Sequence, residues 1–270
     1  MQPSTASPDR IRFDQPKAGL QRLSARFGGH AYDLHRHETY AVGLTIWGAQ
    51  SFHYRGSLRT SGAGQVMIIH PDEAHDGHAG VDRGFAYRML YVDPGAVGAA
   101  LEDAPPPFVP EVVTEDPVLS ALLGEAFGDF PRPLEPLAQD AIVGRLAERL
   151  AARSDGRRLR PGPAARRAVA LARDFLDAEA HRTVASEELE RLSGLDRFAL
   201  ARHFRTVHGT SPHRYQVGRR LLEAQRLIAE GMKPAEAAAT TGFADQSHLT
   251  RHFASRFGVT PGRWATLARA

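Results

Sequence analysis

The chain contains no cysteine, which excludes a disulfide framework and any thiolate metal site and fits a reducing compartment. Its first ten residues, MQPSTASPDR, have no apolar core and do not read as a signal peptide. No hydrophobic run approaches the length that spans a membrane. No Ser/His/Asp order, phosphate-cradling glycine loop or helix-borne metal motif occurs either. These absences lead to the expectation of a cytoplasmic chain with no membrane partner.

What is present is unevenly distributed. A length of 270 residues favours two domains. Residues 1–156 carry a formal charge of about −6 and residues 157–270 about +9, so the second part would seek an anionic partner. Nineteen of its twenty basic residues are Arg, whose planar, permanently charged fork suits phosphate oxygens and the edge of guanine.

From about Phe13 to Val92 the stretches YAVGLTIWG, QSFHYRG, QVMIIHP and FAYRMLYV read as short strands separated by turn residues, which suggests a sandwich or barrel. After the breaker APPPFVP, Ile142, Leu146 and Leu150 recur every four positions beside Ala138 and Ala147, as in an amphipathic helix. RSDGRRLRPGP has the composition of an exposed linker. Beyond Pro163 the pattern predicts helices near 164–180, 185–193, 196–208, 212–230, 234–241, 245–257 and 261–268, stopped by Gly194, Gly209, Gly231, Gly242 and Gly258. The expected organisation is an effector-binding domain over 1–116, a helical dimerisation segment over 117–153, a linker over 154–163 and an all-α DNA-binding domain over 164–270.

Two stretches 49 residues apart, LARHFRTVHGTSPHRY at 200–215 and LTRHFASRFGVTPGRW at 249–264, agree at seven of sixteen positions. In the first, Leu200, Phe204 and Val207 form a buried stripe and leave Arg197, Ala201, Arg202 and Arg205 outward. In the second, Leu249, Phe253 and Phe257 form the stripe. Each helix follows a short helix and a Gly-containing turn, the helix-turn-helix layout whose second helix enters the major groove. A helix over 212–230 would span about 28 Å, close to the ~34 Å between successive major-groove faces on one side of a duplex. The repeat therefore reads as two readers on one DNA. Gly218 is the expected pliant point of the spacer, where Ala should be tolerated or slightly stabilising.

GFADQSHLTRHFASRFGVTPGRW, with LERLSGLDRFALARHFRTVHGTSPHRYQVGRRLLEAQRLI, resembles the DNA-binding domain of AraC/XylS transcriptional regulators over about 164–268. The one departure is at Ala254–Ser255, where the family usually has a basic residue. The resemblance implies a sequence-specific regulator that binds double-stranded DNA. It implies base contacts from Arg197, Phe198, Ala201 and Arg202 in the first reader and from Gln246, Ser247, His248, Thr250 and Arg251 in the second. Arg202 and Arg251 can bond guanine in two places and Gln246 can do so with adenine.

Seven of the thirteen histidines lie between His30 and His78. His35 and His37 are two apart, so on a strand they share a face; with His75 as a third they have spacing suited to metal ligands. The pattern from Gly29 through His35 and His37, then from Gly64 to His75, resembles the cupin barrel that many AraC-type regulators carry as an effector domain. A metal cupin usually has a Glu about four residues after the second His, where this chain has Ala41 and Val42, and Glu38 comes too early. The expectation is therefore a metal-free pocket with no cofactor, lined by His35, His37, His75, Trp47 and Tyr54, with Phe52, Tyr87 and Tyr91 on neighbouring strands and His30 and His53 at the surface.

The fold expected from both resemblances is an all-β cupin-like barrel followed by helices, then an all-α domain with two helix-turn-helix units joined by a long helix. The function implied is transcription regulation by a small-molecule effector, in a homodimer, with RNA polymerase as a further partner, and no catalysis. The alternative is a metal-dependent cupin enzyme fused to a DNA-binding module.

Overall fold

The structure, a computed structural model, describes residues 9–15, 17, 19–102, 104–155 and 161–270. Residues 156–160 of the expected linker lie outside the described residues.

The first part is built from β1 (Arg10–Phe13), β2 (Leu20–Phe27), β3 (His30–His35), β4 (Tyr40–Tyr54), β5 (Ser57–Gly62), β6 (Val66–Ile69), β7 (His75–Ala79) and β8 (Phe85–Val92), then α1 (Pro94–Ala100) and β9 (Val113–Thr114). All ladders are antiparallel, with the main order β1-β2-β8-β4-β6-β9 and with β3, β7 and β5 joined through β4. The sequence suggests two strands where the structure has the single 15-residue β4. Gly48, read as a turn, bends the strand without ending it. Its φ is +70°, and an added Cβ would stand 2.0 Å from the Gly84 carbonyl oxygen, so only glycine permits this crossing.

Side chains alternate across the sheet as the two-residue repeat of a strand requires. Phe85, Tyr87 and Met89 of β8 face the barrel interior. Leu90 and Val92 face outward, beneath α1, α2 (Pro117–Ala126) and α3 (Pro136–Ala152). Asp116 caps α2 by accepting from Val118 N–H and Leu119 N–H, both at 3.1 Å, and also accepts from Arg149 at 2.9 Å and Arg153 at 3.1 Å, which ties α2 to α3.

The second part comprises α4 (Pro163–Ala178), α5 (Ser186–Ser193), α6 (Arg197–His208), α7 (Pro212–Ala229), α8 (Pro234–Thr240), α9 (Gln246–Phe257) and α10 (Pro261–Arg269). Every helix expected here forms, with bounds shifted by a residue or two. Asp196 caps α6 and Asp245 caps α9, each accepting backbone N–H groups of the first turn. The 49-residue repeat thus extends to the caps.

The apolar cores do not follow the charge division of the chain. One cluster joins the outer face of the barrel to α1–α3, and another holds α4–α6 and Tyr215 of α7. The third is shared between the two parts: Phe27, Phe52, Met67 and Phe85 of the barrel are continuous with Leu221, Phe253, Trp264 and Leu267 of the helical part. Phe13 of β1 packs on Trp264, ring centroids 4.9 Å apart.

Candidate effector cavity and nucleic-acid interface

The two helix-turn-helix units are α5–α6 and α8–α9, and α7 connects them. Two polar side chains of α7 hold the units in register. Arg220, 9 % exposed, donates to the carbonyls of Ala180 at 2.6 Å, Arg182 at 2.7 Å and Gly242 at 2.9 Å. Gln216 donates to the carbonyls of Glu179 at 3.1 Å and Arg182 at 2.9 Å. The loop after α4 and the turn before α9 are thereby bonded to the same helix.

Phe198, Arg202, Gln246, Ser247 and Arg251 are exposed at the N-terminal halves of α6 and α9, and Ala201 and Thr250 are half-buried beside them. Among the described residues, neither Arg202 nor Arg251 has an ion-pair partner. Arg197 is placed differently from its expected reading position. Its backbone N–H and Nε donate to Glu190 at 2.8 and 3.1 Å and its Nη2 reaches Glu187 at 3.3 Å, so it fastens α6 to α5. His248 also turns back: its ring accepts from Ala244 N–H at 3.4 Å and packs against His252 and Phe243.

The opposite ends of both readers rest on the barrel. The last carbonyls of a helix lack partners within it. Those of α9 are met by the edge of β3 and the turn after it, with Asp33 N–H donating to Gly258 O at 2.8 Å and Arg36 N–H to Ser255 O at 3.0 Å. Arg256 of α9 forms an ion pair with Glu38, and both side chains are largely buried. Arg263 donates to His30 O at 2.8 Å, Gln21 to Gln225 at 3.2 Å, and Arg214 pairs with Asp72. Gly218 makes room for Glu38: an added Cβ would lie 3.0 Å from its Oε2. An Ala there requires the Glu38 carboxylate to give by a few tenths of an ångström, so Gly218→Ala tests how firmly Glu38 is held as well as the pliancy of the helix.

Between the parts lies a cavity that is partly open to solvent. Leu20, Leu23, Leu222, Phe257 and Trp264 supply apolar wall, and Arg219 and Arg256 supply positive charge. Burial pushes the Arg256 guanidinium down to about 10, which still leaves it charged at neutral pH. His35 and His37 border this cavity, and His35 and His75 border a second, smaller space inside the barrel. Strand pairing explains the meeting, since β3 and β7 set His35 opposite His75. His37 lies just past the end of β3, with its ring centroid 4.9 Å from that of His75 and 6.1 Å from that of His35. Burial lowers all three pKa values, and neighbouring rings add to the effect on His35 and His37; His75 falls to about 4.

Trp47 and Tyr54 stand apart from this cavity, contrary to expectation. A register shift between Thr45 and Trp47 breaks the alternation of β4 and turns Trp47 outward, where Arg26 lies 4.7 Å over its ring. Tyr54 is buried, and its hydroxyl accepts from His70 N–H at 3.1 Å, which makes it a core residue. Tyr32 and Tyr91 line both spaces instead. His30 and His53 are exposed, as expected.

Two helix-turn-helix units attached to a β domain with a cavity define a ligand-responsive DNA-binding regulator. Residues 17–147 match the AraC-like ligand binding domain, and residues 189–266 match a helix-turn-helix domain family. The chain is similar to the uncharacterized HTH-type transcriptional regulator YbfI of Bacillus subtilis, with 26 % identity over 83 % of this chain and 84 % of that one. It also resembles the virulence regulon transcriptional activator VirF of Yersinia enterocolitica, with 39 % identity over 22 % of each chain. Among solved structures, ToxT from Vibrio cholerae superposes with a TM-score of 0.66 at 10 % identity, covering 93 % of this chain and 99 % of that one. Another ToxT structure, TM-score 0.64 at 11 % identity over 99 % of this chain and 97 % of that one, holds an unsaturated fatty acid. The chain belongs to the AraC family of transcriptional regulators: its N-terminal domain binds an effector and its helix-turn-helix region binds DNA. Among the described residues, no helix is long and apolar enough to cross a membrane.

Proposed function

We propose that the cavity between the two parts holds a small amphipathic anion and that its occupancy controls the second reader. The observation that carries this is that one cavity is walled by both the barrel and α7, α9 and α10, with the buried Arg256 at its edge. A carboxylate would meet Arg256 or Arg219, and an apolar body would lie against Leu20, Leu222, Phe257 and Trp264. An unsaturated fatty acid in ToxT is a ligand of this chemistry. Titration of the full chain with carboxylic acids of increasing apolar length, followed by the fluorescence of Trp264 in a Trp47→Phe background, tests it. Saturable changes that sharpen with chain length support the reading, and a flat response across the series removes it.

On DNA, Arg202, Gln246 and Arg251 are the base readers in this proposal, with Phe198, Ala201, Ser247 and Thr250 completing the contact and Arg197 and His248 shaping the turns. The helix α7, 18 residues or about 27 Å long, sets the two readers about one helical turn apart. One monomer should protect two major-groove segments about 10 base pairs apart, and inserting five base pairs between them should abolish one of the two footprints. An unchanged footprint would mean that only one unit engages bases.

A homodimer formed through 117–153, contact with RNA polymerase at the promoter, and a cytoplasmic location complete the proposal. The exposed Leu137 (83 %) and Val118 (50 %) on α3 and α2 support a partner surface there. The barrel serves as a sensor and not as a catalyst, in keeping with relatives that are regulators.

A further inference from the structure

The helical repeat is longer than the two readers. Both α4 and α7 begin at a proline, Pro163 and Pro212, which lie 49 residues apart, the offset that also relates α6 to α9. Four residues that wall the cavity beside the second unit, Arg219, Leu222, Arg256 and Phe257, therefore have counterparts at Ala170, Arg173, Val207 and His208. All four counterparts wall a second cavity, between α1 and the first unit. The repeat thus builds one concavity twice, closed by barrel strands in one copy and by α1 in the other. On α1 the facing positions are Gly95, Gly98 and Ala99, which are too small to fill the space.

The polar groups change places between the copies. Where the first cavity has Leu222 and Phe257, the second has Arg173 and His208. His208 is 3 % exposed, and among the described residues its Nδ1 has no hydrogen-bond partner. Asp93 Oδ1 stands 3.6 Å from it, beyond hydrogen-bonding distance, and already accepts from Gly95 N–H at 2.7 Å. A buried nitrogen left unpaired is unfavourable, so the site favours an oxygen that can accept from it. Arg173 pairs with its neighbour Asp174 at the surface, a weak contact from which the guanidinium can turn to another anion. We propose that this second cavity binds a compact organic carboxylate, its charge held by His208 Nδ1 and Arg173 and its apolar body laid against Val169, Val207 and α1. Bound there, the ligand joins α1 to α4 and α6 and clamps the first unit to the barrel domain. The inference does not rest on the ligand of the first cavity, because no residue lines both spaces.

The full chain is titrated with para-fluorophenylacetate and followed by fluorine NMR, with a long-chain carboxylate present to fill the first cavity. Saturable binding is expected, and amide hydrogen exchange should slow in α1 and α4. Arg173→Gln and His208→Phe should each weaken binding about tenfold, the worth of one charge-assisted hydrogen bond. His208→Phe installs the side chain of the other copy, and Arg173→Gln, at the surface, decides the matter if that variant folds poorly. Unchanged affinity in Arg173→Gln overturns the proposal, as does an absence of saturable binding. Slowed exchange confined to α9 and α10 overturns it in favour of the first cavity alone. A long-chain acid that fails to bind would sink the reading of the first cavity, and the fluorine titration would stand without it.

Discussion

Arg256→Met should destabilise the full chain by about 3 kcal/mol, because removing one member of a buried pair leaves the other charge without compensation. The methionine keeps the apolar stem and fills most of the volume, so the loss isolates the charge. Glu38 would be left 18 % exposed against the glycine face of α7. The estimate sits at the low end of the range for buried pairs because of that residual exposure. Urea unfolding of the variant, of Glu38→Gln and of the double variant forms a cycle. The double variant should recover most of the loss. Strictly additive effects, or a single-variant loss below about 1 kcal/mol as for a surface pair, would show that the contact contributes little to joining the barrel and α9.

Gly258→Ala should cost considerably more than the same change at Gly194, although the two backbones are alike. Both residues end helices in the left-handed region, with φ of +67° and +70°, so each alanine carries roughly 1–2 kcal/mol of backbone strain. Around Gly194 nothing lies within 4 Å of the new Cβ. At Gly258 it would stand 2.7 Å from Tyr32 Cβ, 2.8 Å from His35 Nδ1 and 2.9 Å from Asp33 O. Two of these neighbours are fixed by the backbone of β3, and overpacking of this kind adds roughly 1–3 kcal/mol. Thermal unfolding of the pair of variants measures the difference. Equal losses at the two positions would mean that α9 does not dock on β3 in solution.

The helices of the second part were legible because their signals are local. Proline at the first turn, Asp at the cap and glycine at the end each act within a few residues. The barrel strands were legible as apolar runs, but the phase of β4 was not. A single irregularity at Thr45–Trp47 turns Trp47 to the opposite face, and nothing in the alternation announces it. His35, His37 and His75 were found by spacing, yet the hydrogen bonds of their rings to the carbonyls of Asp33, Thr39 and Glu73 had no sequence signal. The contact between the parts left one trace. Arg256 occupies the position that Val207 holds in the first copy of the repeat, so an arginine stands in an apolar stripe. That anomaly called for a carboxylate, and Glu38, set aside as a metal ligand for coming too early, is the residue that answers it across 218 positions of sequence.

The shared core has a consequence for how ligand energy is distributed. Phe253, Trp264 and Leu267 belong to the same apolar cluster as the barrel interior, whereas Leu200 and Phe204 belong to a separate one. A ligand that stabilises the barrel interior therefore adds its linkage free energy to the cooperative unit containing the second reader, and the first reader, whose apolar core is separate, receives it less directly, through α7 and the contact of His208 with Asp93. The two copies of the repeat are then unequal partners: the first is a constant foothold, and the second is the variable grip.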